Sequence, residues 1–207
     1  VWMTNNHYKD FEDEDKRVLE GITHNYTTLQ GTNIFYPSWQ AALYKTVNGV
    51  NYNNTGSTTA ERAYTIKYSA VADPNVALSD AFYPLLRYSE VILMVAEAEN
   101  EINGANNVAY TALNTIRSRV SASAAPTGMS QEQFRSFVLA ERAREFAQEG
   151  IRRFDLLRWG IYLPVMNKIT TGQNSISKIR SLRNLLLPLP LNELNSNTAI
   201  TGNNPGW

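Results

Sequence analysis

From Pro84 onward the apolar residues recur with helical spacing; before it they do not. Leu85, Leu86, Val91, Ile92, Leu93, Val95, Ala96, Ala98 and Ile102 spread around most of one helix, leaving a narrow polar stripe of Arg87, Glu90, Glu97 and Glu101. Pro84 suits the first turn, where its missing N–H leaves nothing unpaired, and Asn103-Gly104 suits the stop. A helix of this kind needs cover on several sides. A second helix is expected over Val108 to Val120, with Ala109, Leu113, Ile116 and Val120 on one face, forming a hairpin with the first across Asn103 to Asn107. Ser130 and Gln133 fit a capping box, with Met129 and Phe134 at the staple positions, and predict a third helix running to about Glu149. Gly150 then suits a left-handed stop, and Ile151 to Trp159 reads as a short fourth helix. The tail from Leu185, carrying Pro188 and Pro190, is expected to be extended.

Residues 1–83 follow another rule. Stretches such as Asn48-Gly49-Val50-Asn51-Tyr52-Asn53-Asn54 read as loops and turns. Yet this part holds thirteen of the twenty-two aromatic residues, too many for a linker. The expected organisation is a loop-rich, Asn- and aromatic-rich region over residues 1–83 that faces a ligand, and a mainly α core over residues 84–207.

Charge changes the picture in one segment. Along the third helix Glu141, Glu145 and Glu149 recur every fourth residue on the face that also carries Phe134, Phe137 and Val138, so the glutamates point inward. Buried carboxylates remain charged only beside strong donors. Between Lys67 and Lys168 all nine basic residues are arginines, the side chain suited to holding a carboxylate bidentately with little water. A structural ion-pair network of Arg117, Arg119, Glu141, Arg142, Glu145, Glu149, Arg152, Asp155 and Arg158 is therefore expected.

Elsewhere composition mainly excludes. Nineteen basic residues balance nineteen acidic ones, so no overall field attracts a nucleic acid or an anionic membrane. Cysteine is absent, which removes disulfides, thiolate chemistry and Cys-ligated zinc. His7 and His24 stand apart, and no His, Asp and Glu grouping has metal-ligand spacing; no cofactor or metal is expected. No apolar run approaches the roughly 20 residues that span a bilayer. The chain starts at Val1 in turn-rich sequence without a leader pattern, and is expected to be part of a longer protein.

Several blocks together resemble the C-terminal signature of the SusD/RagB family. They are Arg87-Tyr88-Ser89-Glu90 through Ala98, Leu113-Asn114-Thr115-Ile116-Arg117-Ser118-Arg119, Glu141 through Phe146, and Glu149 through Gly160. Leu187-Pro188-Leu189-Pro190-Leu191-Asn192-Glu193 and Asn203-Asn204-Pro205-Gly206-Trp207 close the match, the last with Trp where the family more often has Tyr. Upstream the likeness rests on Asp13-Glu14-Asp15-Lys16-Arg17 and Tyr64-Thr65-Ile66-Lys67-Tyr68. The resemblance implies a SusD-like helical fold with tetratricopeptide-like helix pairs and a loop-rich insertion. It also implies a protein more than twice this length, lipid-anchored through a segment outside this chain to the outer face of the outer membrane. Such a protein would bind oligosaccharide, polysaccharide or, in some members, peptide for a TonB-dependent transporter, without catalysis.

Within that frame Trp2, Tyr36, Trp39 and Tyr52 are the candidate ligand contacts, because they lie among Asn and Gly in segments free to reach solvent, and aromatic rings stack on the C–H faces of sugars. Trp159, inside the Arg–Glu segment, is assigned to the core. Two other functions remain open: a glycoside hydrolase using Glu141 with Glu145 or Asp155, and a scaffold holding a peptide along its helices. Against the hydrolase, inward acids among many arginines have depressed pKa values, wrong for a general acid.

Overall fold

In the computed structural model residues 2–53, 63–67, 84–169 and 179–207 are described, except for the side chains of Trp2, Asn5 and Ala63. The chain packs as two compact units, Val1–Glu145 and Phe146–Trp207. The change of composition at residues 83 and 84 falls inside the first unit, because ion pairs from Arg17 to Glu141 and Glu145 tie the loop-rich part to the helices.

The loop-rich part contains short strands: β1 (Trp2–Met3), β2 (Ile22–Thr23), β3 (Asn25–Thr27), β4 (Asn33–Phe35), β5 (Thr46–Val47), β6 (Val50–Asn51) and β7 (Ala63–Thr65). Between them lie helices α1 (Asn5–Tyr8), α2 (Lys16–Leu19) and α3 (Ala41–Tyr44). β7 runs antiparallel between β1 and β2, while β3–β4 and β5–β6 are separate hairpins. Strands of two or three residues are too short to display a period of two, which is why the sequence pattern showed only turns. Asn48 and Gly49 have φ of 50° and 77°, the left-handed pair that a two-residue hairpin turn requires and that Asn-Gly tolerates.

Three long helices complete the first unit: α4 (Tyr88–Asn103), α5 (Asn107–Arg119) and α6 (Gln131–Glu145). Each starts for a local reason. Asn106 caps α5, its side chain accepting from the N–H groups of Val108 and Ala109 at 3.0 and 3.1 Å. Ser130 and Gln133 form both halves of the capping box of α6 at 2.8 and 3.2 Å. α4 begins at Tyr88, four residues beyond Pro84, because Arg87 is extended (φ −136°, ψ 161°) with its guanidinium on Glu145. The α4–α5 hairpin packs Leu93 and Ala96 against Ala109, Leu113 and Ile116, and α6 adds Phe134 and Val138. Only this stripe of α4 is covered within the unit; Val91, Met94, Val95 and Ile102 are exposed. Between α4 and α5 lies a groove of about 520 Å³ lined by Tyr88, Ile92, Val95, Val108 and Ala112.

α6 ends at Glu145, four residues earlier than the spacing suggested, as Gln148 (φ 67°) and Gly150 (φ 75°) turn left-handed. The second unit holds α7 (Arg152–Arg158), α8 (Tyr162–Met166) and α9 (Leu191–Ser196). The tail is extended at Leu186 and Pro190 but is interrupted by α9, which Pro190 caps, a position where proline's missing N–H costs nothing.

Candidate functional site

The charged interior and the aromatic loop face are built differently. On α6 Glu141 and Glu145, one turn apart, are 0 % and 1 % exposed. Glu141 accepts from Arg17 Nη1 at 2.7 Å through Oε1, and from Arg117 Nη1 at 2.6 Å and Arg144 Nη2 at 2.7 Å through Oε2. Glu145 accepts from Arg87 Nη1 at 2.6 Å and from Arg119 Nη2 at 2.7 Å. Its own carbonyl accepts from Arg87 Nη2 at 2.7 Å and Lys67 Nζ at 3.0 Å. Burial alone would raise the Glu141 carboxyl, but the charges of Arg17 and Arg144 beside it outweigh burial and hold it below the ordinary carboxylate range. Arg17 is pushed the other way, above its ordinary value: the bonds to Asp15 and the charge of Glu141 outweigh burial, which opposes them.

Several of these partners come from far along the chain and were not expected. Arg17 sits in α2 two residues after the cap Asp15, whose carboxylate accepts from the Arg17 backbone N–H at 2.9 Å and grips its guanidinium at 2.6 Å. Arg87, read from sequence as part of a polar stripe, is half-buried against Glu145. Glu90, from the same stripe, is buried and faces Arg142 at 3.3 Å. Arg142 thus reaches across to α4. Arg117 also donates to the Ser123 carbonyl at 2.6 Å and to Glu12. Of the remaining expected members, Glu149 and Asp155 are buried and Arg152 half-buried in the second unit, where Arg158 Nη2 holds Asp155 at 3.0 Å.

The aromatic face is organised by Tyr36. Ile34, Phe35, Tyr36 and Pro37 form a buried run from β4 into a cis Tyr36–Pro37 peptide. Tyr36 is fully buried, its ring meeting those of Tyr8 at 5.1 Å and Trp39 at 5.8 Å edge to face. It is therefore a support and not an exposed contact: the apolar run carries it inward despite the Asn-rich surroundings. His24 stacks on Tyr44 with centroids 3.9 Å apart, and its two ring nitrogens each lie 2.9 Å from a carbonyl oxygen, those of Tyr36 and Val18. Burial, with Tyr44 and Tyr36 nearby, pushes the Tyr8 hydroxyl well above its ordinary value.

Trp39 stands on this base. It lies in the 3-10 turn Ser38–Gln40, is 46 % exposed, and has Lys9 Nζ 4.7 Å from its ring centroid. Tyr52 is half-buried, its backbone N–H donating to the Lys45 carbonyl at 2.7 Å beside the β5–β6 hairpin. Trp2 pairs its backbone with Tyr64 in β1; its side chain lies outside the described residues. Trp159 is half-buried at the end of α7 with the Arg158 guanidinium 5.4 Å over its ring, so it is a partly covered corner rather than a fully enclosed core residue. Among the described residues no cluster of His, Asp and Glu is arranged to hold a metal ion, and no helix is long and apolar enough to cross a membrane.

Fold and site together define a helical scaffold whose central acids are locked by arginines and whose loops present an aromatic face. The chain belongs to the SusD family, whose family model matches residues 3–207. It is 29% identical over 210 residues to a SusD-like protein P2 of Formosa agariphila, a match that covers 97% of this chain and 39% of that relative. A SusD superfamily protein from Parabacteroides distasonis superposes with a TM-score of 0.68 at 24% identity, over 100% of this chain and 42% of the other. A surface glycan-binding protein A from Bacteroides uniformis superposes with a TM-score of 0.57 at 19% identity, over 96% of this chain and 40% of the other. The fold is thus the helical SusD-like one, and the chain spans about two-fifths of the length of these relatives.

Proposed function

We propose that this chain is part of a non-enzymatic glycan-binding protein that captures oligosaccharide or polysaccharide at the outer-membrane surface and delivers it to a TonB-dependent transporter. The lipid anchor would lie outside this chain. The observation that carries the reading is Trp39: an indole half in solvent, seated on buried Tyr8 and Tyr36, is a rigid stacking platform of the kind sugar rings use. Membership of the SusD family and the likeness to a protein named for surface glycan binding support it. Tyr52 and Trp2 are further candidate contacts at this loop-rich face.

The same geometry argues against hydrolysis by Glu141 and Glu145. Both are closed from solvent, and the Glu141 carboxyl, held below its ordinary range by guanidinium partners, is a poor proton donor. Calorimetric titration of the chain against a panel of oligosaccharides tests the reading. Binding is expected without turnover, and Trp39→Ala should weaken it by about 1–3 kcal/mol, taking the scale of ring stacking on nucleobases. If no glycan binds, or if Trp39→Ala retains full affinity for a glycan that the parent binds, the assignment fails.

A further inference from the structure

The polar groups beside Trp39 point to the kind of sugar. Lys9 is exposed at the end of α1, with its ammonium over the indole ring and no carboxylate partner among the described residues. The acid next to it in sequence, Asp10, is engaged by His7 Nδ1 at 3.2 Å. Gln40, next to Trp39 in the chain, accepts from the Tyr8 hydroxyl at 3.1 Å through Oε1. That bond fixes the amide and leaves its Nε2 as a donor without a partner among the described residues. The Tyr8 hydroxyl is itself committed by the same bond.

The ammonium over the stacking ring and the Gln40 amide, from the residue next to Trp39, are therefore both donors, and one is a cation. A neutral sugar hydroxyl both donates and accepts and gains little from an ammonium; a carboxylate only accepts and pairs with both groups. The cation–π contact at an exposed ring is weak enough to be exchanged for such a partner. With nineteen basic and nineteen acidic residues the chain exerts no net long-range pull on an anion, so discrimination has to be local. We propose that Lys9 is a specificity-determining residue of the Trp39 platform and that the ligand is an acidic glycan, whose uronate carboxylate is taken by the Lys9 ammonium with Gln40 Nε2 as second donor. The inference rests on the glycan reading of Trp39 given above.

The test pairs each acidic probe with its uncharged twin: oligomers of galacturonic, glucuronic and mannuronic acid and their methyl esters, titrated calorimetrically into the full chain beside neutral oligosaccharides. At least one acid should bind about 3–10-fold more tightly than its ester. Lys9→Met, which keeps most of the apolar stem, should erase the difference between acid and ester, whereas Lys9→Arg should preserve it. Trp39→Ala should weaken acid and ester alike. If acid and ester bind equally, if only neutral glycans bind, or if Lys9→Met changes nothing, the acidic-glycan proposal is overturned while glycan binding stands. Should no glycan of either kind bind, the underlying reading falls and this proposal with it.

Discussion

Replacing Glu141 by Gln removes one negative charge from the centre of the first unit and preserves its shape. Glu141 is 0 % exposed and takes three guanidinium donors within 2.7 Å, from Arg17, Arg117 and Arg144. Breaking a buried pair costs about 3–5 kcal/mol when the surviving charge is left uncompensated. Here two survivors keep other carboxylates, Arg17 on Asp15 and Arg117 on Glu12, and Arg144 keeps the Asp10 carbonyl at 3.3 Å. The loss should therefore fall at the low end, about 3 kcal/mol, against a total stability of about 5–15 kcal/mol for a natural domain. In a chain of this size that lowers Tm by about 6–12 °C. Glu101→Gln is the control, since Glu101 and its partner Arg135 are 40% and 34% exposed at the side chain and solvent screens such a pair. Urea denaturation followed by far-UV circular dichroism measures both. A Glu141→Gln loss no larger than that of Glu101→Gln would refute the claim that buried ion pairs hold α2, α5 and α6 together.

The Glu141 carboxyl is depressed when folded, so its contribution to stability is present above the unfolded value near 4.5 and is lost as pH falls through the lower folded value. The parent's urea midpoint should accordingly fall below pH 4.5 more steeply than that of Glu141→Gln, and parallel curves would contradict this. Tyr36→Ala should cost about 3–5 kcal/mol of stability as a fully buried aromatic, whereas Trp39→Ala should cost about 1 kcal/mol or less; equal losses by thermal denaturation would overturn the division into support and platform. The exposed apolar stripe of α4 should make the 207-residue chain bind a hydrophobic dye, and Val95→Glu should reduce that binding without lowering Tm. Absence of dye binding would show that the stripe is covered.

Local chemistry was legible wherever a few neighbouring residues decide the outcome. Ser130 and Gln133 gave the start of α6, and the fourth-residue spacing of Glu141 and Glu145 beside Phe134 and Val138 gave their inward direction. What spacing cannot supply is the identity of partners across the chain. Arg17 lies 124 residues from Glu141, and Arg87 lies 58 from Glu145. The signal for Arg17 was present, an acidic helix cap two residues before an arginine, but nothing local says which carboxylate such an arginine meets. Tyr36 was misread for a different reason. Polar residues flank it on both sides, but the four-residue run Ile34 to Pro37 has the continuous apolar character of a buried segment. Trp39, two residues past that run, sits where the chain turns back out to solvent, and there polar neighbours and exposure agree.

The most direct test of the central claim follows the tryptophans themselves, Trp2, Trp39, Trp159 and Trp207, by their indole N–H resonances during titration with a glycan that calorimetry has shown to bind. The Trp207 indole donates to the Arg183 carbonyl at 3.0 Å in the tail, and Trp159 lies at the end of α7, so neither should move. The account predicts a progressive shift of the Trp39 resonance that saturates at the calorimetric stoichiometry and disappears in Trp39→Ala. A glycan that binds while Trp39 stays unchanged and Trp159 or Trp207 shifts would contradict it.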